Sequence, residues 1–239
     1  YRPDMTTIEV VGDISVEDAR KKITAAFGGW KAFGPKPEVD LPAIPFNPVP
    51  AVQSVSDPVR SQDMVAMIQT NAHGWTDPRR FDVGLADTML TKGFDSRLYQ
   101  DLRVRTGYVY TVRSQASAQK NFGTYGVSFG ADPGSVKAAR QHVVQELQIM
   151  AAKPVAVEEL NRAKAHLIRD MILSNAIMTA PSGLDADLTL HGLGWEHLND
   201  AAKAYQAATP ESVQAAFKSY VRPDGFATFV LGPMPAGLN

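Results

Sequence analysis

The sequence predicts an α+β fold built around antiparallel strands. Three observations predict it. Residues 107–113 and 122–130 each alternate with the period of a pleat, and the polar connection between them, 114–121, reads as a hairpin. Residues 135–151 and 156–177 carry helical spacing and are separated by Lys153-Pro154. Apolar strand-like runs stand at 5–11, 62–70 and 226–231.

Taken in order, residues 5–11 read as a buried strand stopped by Gly12-Asp13. Ser15 reads as a helix N-cap, with Glu17 and Asp18 in the first turn, where the helix dipole favours anions. Val16, Ala19, Ile23, Ala26 and Phe27 keep helical spacing until Gly28-Gly29. Pro35, Pro37, Pro42, Pro45, Pro48 and Pro50 resist helix and central strand alike, and mark 34–50 as a linker. After the strand at 62–70, Asp77-Pro78 opens a helix with the stripe Phe81, Leu85, Met89 and Leu90, ended by Lys92-Gly93. Asp95 is expected to cap a shorter helix carrying Leu98, Tyr99 and Leu102. Tyr108 and Phe122 are expected to pack within the sheet. Residues 182–206 read as mostly helical, with breaks at Gly192 and Gly194, and Thr209-Pro210-Glu211 opens a further helix. Phe226 to Leu231 is the closing strand.

Composition excludes several function classes. Lys plus Arg is 24 and Asp plus Glu is 25, so the chain lacks the positive footprint of a nucleic-acid binder. Its longest apolar runs are about five residues, such as Met64 to Ile68, against the roughly 18 that a membrane span needs. With no cysteine there is no disulfide, thiol nucleophile or cysteine zinc site. The chain starts at Tyr1 without Met, which reads as a product whose upstream part is missing.

One internal repeat bears on domain organisation. Arg2-Pro3-Asp4 leads into a run ending Val10-Val11-Gly12, and Arg222-Pro223-Asp224 leads into one ending Val230-Leu231-Gly232 at the same spacing. The repeat predicts two homologous domains that each finish with this strand. On that reading 1–33 is the tail of a preceding domain, 34–50 is the linker, and 51–239 is the second domain.

The block Gly93-Phe94-Asp95-Ser96-Arg97-Leu98-Tyr99-Gln100-Asp101-Leu102-Arg103, followed by Gly107-Tyr108-Val109-Tyr110, resembles the second half of the pitrilysin family of zinc peptidases. These inverted zincins include insulysin and the mitochondrial processing peptidase. The resemblance extends to the Arg2-Pro3-Asp4 strand and the Thr209-Pro210-Glu211-Ser212-Val213 helix, and so covers almost the whole chain. It implies the metalloenzyme LuxS/MPP-like fold, related to the ferredoxin-like fold: two similar α+β domains per half, each an antiparallel sheet packed against helices.

The resemblance also implies roles. Arg103 and Tyr110 stand seven apart, as the family's paired Arg and Tyr do, and would donate to the oxyanion of a substrate held at the other half's zinc. Gly93, Ser96 and Arg97 would lie at the substrate. The family binds zinc through His-x-x-Glu-His in its first half, but none of His73, His142, His166, His191 and His197 stands in that motif. His191 and His197 are six apart, on opposed sides of a helix. No metal ligand is therefore assigned in this chain, and zinc is expected on a missing N-terminal half or a partner subunit.

A peptide substrate, a zinc-bearing half or homologous subunit as partner in a homo- or heterodimer, and a periplasmic or envelope setting follow from family habit. The isolated chain is expected to be inactive. The other reading is a non-catalytic scaffold that pairs with an active homologue. A peptide that adds to the sheet as an extra strand would go to Met64–Thr70 or to Gly123–Phe129.

Overall fold

A computed structural model of the chain describes residues 1–38, 44, 51–175 and 180–233. Its elements are α1 (Val16–Phe27), β1 (Val52–Ser56), β2 (Asp63–Asn71), α2 (Arg80–Thr91), α3 (Arg97–Tyr99), β3 (Val109–Ala118), β4 (Gly123–Ala131), α4 (Val136–Ala152), α5 (Val157–Asn175), α6 (Ala180–Leu190), α7 (Asp200–Ala207), α8 (Pro210–Tyr220) and β5 (Ala227–Gly232). The chain gathers into two compact units, Tyr1–Pro42 with Asp170–Asp200 and Ala43–Arg169 with Ala201–Asn239.

In the first unit α1 forms where its cap and spacing place it. Ser15 Oγ accepts the Asp18 N–H at 3.0 Å, and Gly28 ends the helix with its N–H on the Thr24 carbonyl. The buried strand expected at 5–11 is corrected. Ile8, Val10 and Val11 are exposed, and no strand among the described residues pairs with them. A strand is completed by a neighbour's main chain, and an apolar run alone does not supply one. The Arg2 guanidinium donates to the carbonyls of Phe33, Gly34 and Pro35 at 2.9, 3.2 and 3.0 Å, so the start of the linker folds back onto the start of the chain. Residues 39–43 and 45–50 of the expected linker lie outside the described residues. The helical run expected over 182–206 is divided into α6 and α7. Gly192 takes the left-handed region (φ 72°) between them, and a 3-10 turn follows at Trp195–Asn199.

The second unit holds a five-stranded sheet in the order β1-β5-β2-β4-β3. All pairs are antiparallel except β1 with β5, which run parallel. So the sheet is mixed, and β1 is a strand the sequence did not announce: all five of its residues are exposed, with no buried face to impose alternation. Along β2, Val65, Met67 and Gln69 face the core while Met64 and Ile68 face away. Helices α2, α4 and α8 cover that inner face, and Leu85, Leu90, Val143, Leu147, Val213 and Phe217 fill the space against Tyr125, Phe129 and Val230.

Local signals decide where these elements begin. Thr209 and Ser212 form a reciprocal capping box at the start of α8, with bonds of 3.1 and 3.0 Å. Helix α2 begins at Arg80, a little beyond the expected Asp77-Pro78; the Asp77 carboxylate instead takes the Arg79 N–H at 2.9 Å. The hairpin is tighter than expected, because β3 runs on to Ala118 and the turn closes with the Gln119 N–H on the Phe122 carbonyl at 2.7 Å. Buried Gln69 holds the entry to β5, its amide bonded to both the carbonyl and the N–H of Arg222. Among the described residues no helix is long and apolar enough to cross a membrane.

Candidate functional site

Arg103 and Tyr110 meet at one end of β3. The Arg103 guanidinium carbon lies 4.4 Å from the centroid of the Tyr110 ring, the geometry of a cation–π contact. Tyr110 is 64% exposed and Arg103 is half-buried. Among the described residues Arg103 makes no ion pair or hydrogen bond, so the donors of its guanidinium stay available to an anion.

Both residues sit on backbone irregularities. Helix α3 loosens into a π turn over Gln100–Arg105, which carries Arg103. The wider i→i+5 spacing appears as the Thr106 N–H bonded to the Asp101 carbonyl at 3.0 Å. On the strand, Val109 pairs with Ala131 and Thr111 with Gly130, so Tyr110 is the extra residue of a β-bulge. A π turn and a bulge each re-aim one side chain out of the regular pattern, and both recur at functional sites.

The glycine loop before α3 uses its polar groups internally. Gly93 has φ 93°, a conformation that a side chain would strain. Buried Ser96 stands at the N-cap of α3 and donates its hydroxyl to the Gly93 carbonyl at 2.7 Å. Asp95, expected as the cap, lies one residue too early and bonds Arg162 at 3.2 Å instead. Arg97 donates through Nε and Nη2 to both oxygens of Glu159, each at 2.7 Å, and reaches Glu146 at 4.0 Å. The structure thus brings Gly93, Ser96 and Arg97 together as one loop, and Arg103 with Tyr110 as one pair. Phe94, 80% exposed, is the large side chain that the loop offers outward.

Titratable groups outside the expected set bond the residues around this segment. Burial pushes the Asp101 carboxyl up, but hydrogen bonds from Arg105 and His142 outweigh it and hold the group below the ordinary carboxylate range. Deeper in the core, burial raises the pKa of Asp87, which accepts a hydrogen bond from Ser114 Oγ. His142 and Glu159 stand 41 and 62 residues from their partners, too far for any local sequence pattern to connect them.

The sheet corrects the expected peptide-binding strands. Met64–Thr70 lies in β2 and Gly123–Phe129 in β4, and each is flanked by strands on both sides. Met64–Ile68 and Gly123–Phe129 are paired on both sides, so neither presents an open edge for a further strand. The sheet's edges are β1 and β3, and Thr91 Oγ1 already accepts the Ser114 N–H of β3 at 3.0 Å. Among the described residues no group of three or more His, Cys, Asp or Glu side chains is arranged to hold a metal ion.

A family model described as the peptidase M16 inactive domain matches residues 1–167. An uncharacterized zinc protease of Streptomyces coelicolor is 33% identical over 98 residues, 41% of this chain and 21% of that protein. The solved peptidase M16 inactive domain from Pseudomonas fluorescens is similar with a TM-score of 0.75 at 23% identity, over 93% of this chain and 52% of that one. A protease from Helicobacter pylori is similar with a TM-score of 0.82 at 16% identity, over 93% and 54%. The chain therefore spans about half the length of these two solved structures, whose likeness speaks to the fold.

Proposed function

The chain belongs to the peptidase M16 inactive-domain family, the inactive domain of zinc-protease-like proteins, and from that premise we propose that it lends two hydrogen-bond donors to peptide hydrolysis on a zinc-bearing half. The observation that carries the reading is the stacked pair itself: a guanidinium without an ion pair among the described residues and an exposed phenol, aimed by a π turn and a bulge. Attack on a peptide carbonyl places negative charge on its oxygen, and a guanidinium N–H with a phenol O–H is a donor set suited to that charge. The loop Gly93–Arg97 would contribute contact surface through Phe94, with Ser96 and Arg97 holding its shape. Residues 1–33 would finish a preceding homologous domain. Two matching turns support this: the Met5 N–H bonds the Arg2 carbonyl at 3.1 Å before the unpaired run, as the Gly225 N–H bonds the Arg222 carbonyl at 2.9 Å before β5.

The test is kinetic. In the assembly with the zinc-bearing half, Arg103→Ala and Tyr110→Phe should each lower kcat by roughly 10²–10³, the usual loss for one oxyanion donor, with zinc content unchanged. Wild-type turnover in both variants would leave the chain as a scaffold that pairs with an active homologue.

A further inference from the structure

We infer that His142 is a positioning residue for the Arg103–Tyr110 pair, fixing through Asp101 the π turn that lays the guanidinium over the phenol. The inference rests on the reading of that pair given above. A π turn is a local departure from the favoured helical spacing, and it persists only where surrounding contacts hold it. Asp101 is the residue that closes this one. Its carbonyl takes the Thr106 N–H and the Thr106 hydroxyl, both at 3.0 Å, and its carboxylate is 9% exposed.

Two side chains bond that carboxylate, and they do different things. Arg105 belongs to the same turn and is 70% exposed, so its bond cannot fix the turn relative to the rest of the domain. His142 comes from α4, with Nδ1 2.8 Å from Asp101 Oδ2. Helix α4 is itself anchored, with Val136, Ala139, Val143, Leu147 and Met150 buried in the core. The same imidazole meets the edge of Tyr108, ring centroids 5.6 Å apart at 78°. Asp101 stands two residues before Arg103, and Tyr108 two residues before Tyr110. One ring on a rigid helix therefore touches both backbone segments that aim the pair.

The experiment uses the whole chain and needs no partner. Arg103 side-chain protons held over the Tyr110 ring resonate upfield of ordinary arginine positions, and Tyr110→Leu identifies that shift by abolishing it. His142→Gln, whose amide stands where Nε2 stood, should lose most of the upfield shift. His142→Asn, whose amide stands where Nδ1 stood, should keep it. A folded His142→Gln protein with the full shift, or equal loss in both variants, overturns the inference. If His142→Gln does not fold, Asp101→Asn read in the same way decides, because it removes the carboxylate that holds the imidazole. Unchanged shifts alongside a kcat loss for Arg103→Ala would end this inference and leave the functional reading standing. Lost shifts alongside wild-type turnover would do the reverse.

Discussion

Arg97 and Arg103 lie six residues apart on one helical segment and are put to opposite uses. Arg97 is held bidentately by Glu159, with Glu146 behind it, and its side chain is 22% exposed. Arg103 faces a tyrosine ring and, among the described residues, meets no carboxylate. The residue type is the same and the neighbours differ. A fork already closed on a carboxylate ties one helix to another, whereas a fork left open at the surface has donors to give. The π turn makes the difference, because it begins just after Arg97 and re-aims everything that follows.

The largest expected effect separates the two on turnover. With a zinc-bearing partner, Arg103→Ala should cost roughly 10²–10³ in kcat. Its effect on stability should stay under about 1 kcal/mol, the scale of a surface cation–π contact. Arg97→Ala should show the reverse preference. Removing one member of a half-buried, bidentate pair leaves Glu159 uncompensated and strips packed methylenes, a loss of about 2 kcal/mol, between the exposed and buried limits. A urea midpoint that moves for Arg97→Ala and not for Arg103→Ala would sharpen the contrast; equal shifts in both would dissolve it.

The sequence made one side of this comparison legible and hid the other. Periodicity located α2, α4, α5 and α8, because each buries apolar residues at helical spacing, and α8 also starts at a recognisable capping residue, Thr209. The block around Ser96-Arg97-Leu98 pointed to Arg103 and Tyr110 through resemblance, not through geometry. What made them a pair, one extra residue in a helix and one in a strand, depends on hydrogen-bond register that no local pattern encodes. Glu159, which holds Arg97, and His142, which holds Asp101, come from helices far along the chain. Strand β1 leaves no pattern in the sequence because neither of its faces is buried, and the apolar run at 5–11 does not form the expected strand because no described neighbour pairs with it.

The smallest expected effect reaches the origin of the contrast, the carboxylate at the start of the π turn. Burial pushes Asp101 up, and the bonds from Arg105 and His142 pull it further down, so its folded pKa lies below the unfolded value of about 3.9. A depressed carboxylate contributes stability that is fully present above the unfolded pKa and is lost as pH falls through the folded one. Asp77 acts in the same direction, with burial opposed and outweighed by hydrogen bonds from Arg79 and His73, so the acid limb has more than one source. Asp101→Asn should therefore flatten that limb below about pH 4 without abolishing it, as read from urea midpoints taken at successive pH values. Superimposable acid limbs for the two proteins would show that the carboxylate is no better satisfied folded than unfolded. The π turn would then lack its charged anchor, and the outward aim of Arg103 would need another cause than the one that keeps Arg97 turned in.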